Sequence, residues 1–179
     1  MKLIFATNNR HKVDELRAVL PAGMNIITLE EAGINQDIPE PFETLEENAL
    51  AKSTTIYELT GQDCFSEDTG LEVEALNGEP GVKSARYAGD SRSFDANIDK
   101  LLAKMEGQNN RNARFRTVIS LLIGGTETRF EGICNGQITA EKRGKSGFGY
   151  DPVFIPAGDT RSFAEMTLAE KNSYSHRAR

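Results

Sequence analysis

Residues 65–71 read FSEDTGL and set two carboxylates, Glu67 and Asp68, side by side ahead of a Thr-Gly step. A carboxylate can take a proton from water or hold a hard cation. Glu40, on another loop, is available to share such a cation, and with the acid pair it hints at Mg²⁺. Composition alone offers a plainer alternative, a solvated strand end. Leu71, Val73 and Ala75 alternate with Glu72 and Glu74, which predicts a half-buried strand with one wet face. Neighbours on extended backbone point to opposite faces, so Glu67 and Asp68 are not expected to chelate together.

A second cluster suits an anion. TNNRHK, Thr7 to Lys12, follows an apolar run (KLIFA), and a strand turning into a helix there leaves unpaired N–H groups at the helix start. Thr7 and Asn9 can cap the helix or bond an oxygen. Lys12 stands one turn in, and Arg10, His11 and Lys12 concentrate cations inside an acidic chain. Plain capping by Asn8 or Asn9 explains the same residues.

Two further stretches suit a flat ring and its oxygens. In GFGYDP, Gly147 to Pro152, Phe148 offers a stacking face while Gly147 and Gly149 let backbone approach closely. The alternative is a glycine turn with Phe148 and Tyr150 lidding the core. In EKNSYSHR, Glu170 to Arg177, a helix would place Lys171 with Ser175 and Asn172 with His176. From the residues alone, a solvated C-terminal helix with cations near its end is the better reading of that stretch. Gly144-Lys145-Ser146 resembles the end of a P-loop, but Thr139 stands where its first glycine belongs.

The elements that must position these residues form a mixed pattern. Lys2–Ala6 and Asn25–Leu29 read as strands around a helix from Asn9 that carries Val13, Leu16 and Leu20 and stops at Pro21-Ala22-Gly23. Thr44 and Glu47 make a capping box for a helix that turns Leu45, Ala49, Ile56 and Leu59 inward and ends at Gly61. NGEPG (77–81) is a turn, and Phe94, Ile98, Leu101, Leu102 and Met105 mark another helix. Arg114–Ile123 reads as a strand. Arg129–Cys134 and Gln137–Ala140 read as a hairpin through Asn135-Gly136. Thr167 and Glu170 make a second capping box, for a last helix running through KNSYSHRAR. This order predicts an α/β fold, a mixed twisted sheet with flanking helices, within one domain of residues 1–179.

Bulk properties narrow the classes. With 38% hydrophobic and 27% charged residues the chain is ordinary for a globule. The net charge of −6 argues against a general nucleic-acid binder, which needs a basic face. No apolar run approaches the roughly 20 residues of a membrane span. The apolar stretch in MKLIFATNNR is too short for a signal peptide, which points to the cytoplasm. Cys64 and Cys134 are isolated and read as reduced thiols. Only His11 and His176 are histidines, which disfavours a zinc site.

In order along nearly the whole chain, the motifs resemble the inosine triphosphate pyrophosphatase family, the XTP/dITP diphosphatases. They are T-x-N-x-x-K (Thr7–Lys12), E-N-A-x-x-K (Glu47–Lys52), S-E-D-T-G-L (Ser66–Leu71), PGVKSARYAG (Pro80–Gly89), GFGYDPVF (Gly147–Phe154) and EKNxxSHR (Glu170–Arg177). The resemblance implies two lobes around a central cleft, a homodimer, Mg²⁺, and hydrolysis of ITP, dITP or XTP to the monophosphate and pyrophosphate. It implies that Asp68 activates water and, with Glu40 as second carboxylate, binds metal. Thr7, Asn9, Lys12 and Lys52 then grip the triphosphate, Asn8, Arg10 and His11 of the same turn are further substrate-binding candidates, and Thr69 contacts substrate. Phe148, Gly149, Tyr150, Asp151, Lys171, His176 and Arg177 then form the base-and-sugar pocket. Glu67 becomes a support for Asp68, and Gly70 the bend that aims it. A phosphohydrolase for another nucleotide class and a non-catalytic nucleotide-binding regulator are the alternatives.

Overall fold

The computed structural model describes residues 2–179. Among them are the strands β1 (Lys2–Phe5), β2 (Asn25–Thr28), β3 (Cys64–Val73), β4 (Pro80–Gly81), β5 (Asn112–Ile123), β6 (Thr126–Ile138) and β7 (Phe154–Pro156). The helices are α1 (Arg10–Arg17), α2 (Leu45–Thr60), α3 (Phe94–Lys104) and α4 (Leu168–Asn172). The strands make one mixed sheet in the order β2-β1-β3-β5-β6-β7, with β4 on β3. β1 is parallel to both β2 and β3; β4 and β7 are antiparallel to β3 and β6.

The chain divides into two compact units, Met1–Asp68 with Thr117–Glu131, and Thr69–Arg116 with Gly132–Arg179. In the first, the period-2 alternation of β1 decides the packing. Leu3 and Phe5 pack with Val13 and Leu16 of α1, while Ile4 and Ala6 pack with Ile56 of α2 and Cys64. Helices therefore cover both faces of β1, as parallel strands require. In the second unit, Ile98 and Leu101 of α3 and Met105 at its C-cap join Leu71, Val73, Phe115, Ile138 and Phe154 in one core. Fully burying side chains of this kind is worth about 1.5–3 kcal/mol each.

The helix signals hold with small differences. Asn9 caps α1 by accepting the Lys12 N–H, and Gly61 closes α2 in the left-handed region at φ 66°. At Thr44 the box is half formed: its hydroxyl accepts the Glu47 N–H but also donates to the Glu47 carboxylate. Leu59 is exposed rather than inward.

Three expectations are corrected. Asn135-Gly136 is no hairpin turn. β6 runs straight through it, and Gly136 is needed because a Cβ there would collide with the Ile155 carbonyl. The tight turn lies instead at Gly124-Gly125, both at positive φ, between β5 and β6. The last helix ends at Asn172; Ser175 is extended (φ −64°, ψ 148°), and His176–Ala178 form a separate helical turn. Lys171 and Ser175 therefore share no helix face. Finally, β3 ends at Val73, and Glu74–Leu76 form a helical turn, so Ala75 does not continue the alternation.

Candidate active site

The acids of β3 are not a solvated strand end. Both Glu67 and Asp68 are buried, each met by a lysine. Lys12 Nζ lies 3.0 Å from Glu67 Oε1. Lys52, buried on α2, donates to the Glu67 carbonyl at 2.7 Å, to Asp68 Oδ1 at 3.2 Å and to Glu40 Oε1. An ammonium has three donors, and here the backbone of one acid and the side chains of two others take them. Lys52 thus draws Glu40 and Asp68 onto a single cation.

Asp68 Oδ2 is buried and has no hydrogen-bond partner among the described residues. Burial pushes the Asp68 carboxyl above its ordinary range and Glu40 adds to the rise, while Lys52 and Lys12 oppose it without cancelling it. For Lys52, burial disfavours the charge, but Asp68 and Glu40 outweigh it and hold the amine protonated. A carboxylate raised in this way is a better proton acceptor than a free aspartate.

Local sequence fixes this geometry. Ser66 donates to the Ala49 carbonyl, tying β3 to α2, and the Thr117 hydroxyl donates to the Asp68 carbonyl at 3.3 Å. Asn48 accepts the Phe42 N–H and donates to the Phe42 carbonyl, both at 3.0 Å, which fastens the loop after Glu40. Gly70 does not bend the strand. A Cβ there would lie 2.5 Å from the Gly81 carbonyl, so its role is to admit β4.

In the TNNRHK turn, Thr7 accepts the Asn9 N–H at 3.1 Å, and Asn9 caps α1. Asn8 and His11 are exposed. Arg10 forms an exposed pair with Glu30, whereas Lys12 reaches Glu67.

The second unit gathers the aromatic candidates. Gly147 takes φ +76°, and Asp151 then accepts the Phe148 N–H at 3.0 Å and pairs with buried Lys171 at 2.6 Å. Lys171 Nζ lies 5.0 Å from the centre of the half-buried Phe148 ring, and the Arg177 guanidinium 5.9 Å. Arg177 reaches Thr69 Oγ1 at 3.5 Å, the outer limit of a hydrogen bond. His176 stacks on Phe115 with centroids 4.9 Å apart. Tyr150 goes into the core, its hydroxyl donating to the Ser84 carbonyl at 2.7 Å. Gly149, at φ +58°, has open space where a Cβ would stand.

Residues 3–179 match the model of the Ham1 family. The chain belongs to that family. A dITP/XTP pyrophosphatase of Porphyromonas gingivalis is 52% identical over 99% of this chain and 92% of its own length. One of Christiangramia forsetii is 49% identical over 99% and 93%. The Ham1-family fold is shared as well. The Staphylococcus aureus Ham1 protein superposes with a TM-score of 0.88 at 37% identity, covering 99% of this chain and 93% of that one. A HAM1 protein from Coxiella burnetii gives 0.90 at 35%, with the same coverage.

Sequence reasoning passed over Asn48 and gave Glu67 no partner. The ENA of E-N-A-x-x-K was the available signal for Asn48. A carboxylate beside the catalytic candidate, with a lysine on α1, was the signal for Glu67.

Proposed function

We propose that this chain hydrolyses non-standard purine nucleoside triphosphates (ITP, dITP and XTP) to the monophosphate and pyrophosphate. The observation that carries the mechanism is the buried, unpartnered Oδ2 of Asp68 beside the Lys52–Glu40 pair. That oxygen is the base for the attacking water, poised by the raised carboxyl pKa. Lys12 and Lys52 neutralise phosphate charge, and the Thr7–Lys12 turn offers N–H groups to phosphate oxygens.

The donor set fits Mg²⁺. Among the described residues no group of three or more His, Cys, Asp or Glu could hold a metal. Mg²⁺ at nucleotide sites takes one or two carboxylates and completes its shell with phosphate and water oxygens. Asp68 and Glu40 would hold it, and it would neutralise charge on the phosphates.

Phe148 supplies the stacking face for the base. Arg177 and Lys171 are fixed donors that suit the 6-keto oxygen of hypoxanthine and xanthine and clash with the 6-amino group of adenine. A site built on such a hydrogen bond can reject the wrong partner by about 10⁴-fold. Residues 1–179 act as one functional domain in this account, and the active form is a homodimer in the cytoplasm, as the family resemblance implies. No helix among the described residues is long and apolar enough to cross a membrane.

The test is a panel of ITP, XTP, dITP, GTP, ATP and pyrimidine triphosphates with Mg²⁺. The expected kcat/KM is highest for ITP, dITP and XTP. Equal values for ATP and ITP would contradict the assignment.

A further inference from the structure

Phe94 opens α3 directly after its cap, Ser93, whose hydroxyl accepts the Ala96 N–H at 3.3 Å. It begins the apolar stripe that continues through Ile98, Leu101 and Met105, but those three are buried whereas Phe94 is 45% exposed. Its ring centre lies 6.2 Å from that of Phe148, tilted by 53°. Lys142, which shares the segment leading to Phe148, bridges Asp95 at 3.1 Å and Asp99 at 2.9 Å on the first turns of α3. The core anchors one side of the helix and this bridge the other, so the two rings stand on fixed supports.

An exposed phenylalanine set obliquely beside a half-buried one leaves an open aromatic corner. Lys171 and Arg177 lie within 6 Å of the Phe148 centre. We infer that Phe94 is a further substrate-binding residue, the second aromatic wall of the base site. A planar base laid against Phe148 meets the tilted Phe94 ring at its edge, an arrangement aromatic pairs favour. This inference rests on the nucleotide reading above and extends it to a residue that none of the motifs includes.

The chain has no tryptophan, so Phe94→Trp creates a single reporter at this position. IMP is expected to change its emission on binding, while pyrophosphate leaves it unchanged. Calorimetry on the same sample verifies that IMP is bound. Phe94→Leu keeps an apolar cover but loses the plane; its KM for ITP is expected to rise about 5-fold or more with kcat and Tm near wild type. Unchanged emission with IMP bound, or a wild-type KM in Phe94→Leu, would overturn the role of Phe94. A wild-type protein that leaves ITP intact would instead overturn the nucleotide reading itself.

Discussion

Asp68 holds the tension between stability and chemistry in this protein. Its carboxyl is buried, raised in pKa, and satisfied at only one oxygen among the described residues. A folded-state pKa above the unfolded value of about 3.9 means that the folded protein binds this proton more tightly. The contribution to stability is therefore greatest below pH 4 and is lost as pH rises through the folded pKa. Asp68→Asn is expected to abolish turnover while nucleotide still binds, and to raise Tm at pH 7.5. The gain in Tm should shrink towards zero below pH 4, and thermal melts across pH 3–8 check the sign. A variant with wild-type turnover would remove Asp68 from the mechanism. Sequence alternation set Glu67 and Asp68 on opposite faces, and they pair with different lysines, but composition read them as a solvated strand end and both are buried. Burial came from Lys12 and Lys52, which meet β3 from two helices that no local pattern relates to it.

At the scale of elements, hydrophobic period and caps were enough for β1, α1, β2, α2, α3 and β5. They failed where a glycine served tertiary contact instead of a turn. Asn-Gly at 135–136 carries a strong hairpin signal, yet Gly136 is extended because Ile155 of β7 lies against it. Gly70 is a similar case, cleared for Gly81. Asn135 is exposed on a strand, so Asn135→Thr is expected to stay within about 0.5 kcal/mol of wild type in urea unfolding. A loss well above 1 kcal/mol would favour a left-handed turn there. Ile56, fully buried against Ile4 and Cys64, should cost about 2–5 kcal/mol on Ile56→Ala, by the same measurement. The last helix was misjudged because its capping box marks only a start. Nothing local announced the extended Ser175 that turns His176 towards Phe115.

For the whole molecule, the phosphate-side candidates fall in one compact unit and the base-side candidates in the other, and the boundary passes between the consecutive residues Asp68 and Thr69. The motifs nominated both groups, because each motif is a short string of chemically committed residues. They did not announce the contacts that hold those strings in place, Asn48 under the Glu40 loop and Glu67 against Lys12, and Phe94 beside Phe148 lies outside every motif. Chelation of divalent cations is expected to silence turnover, and added Mg²⁺ to restore it, since Lys12 and Lys52 are already paired with carboxylates and leave most of a triphosphate's negative charge unbalanced.

The role proposed for Asp68 is to direct water to the bond between the α and β phosphates. Phosphorus NMR of an ITP reaction with Mg²⁺ shows which bond is cut and whether Asp68 is needed. IMP and pyrophosphate in equal amounts are expected from the wild type and neither from Asp68→Asn. Release of orthophosphate with IDP would contradict that role.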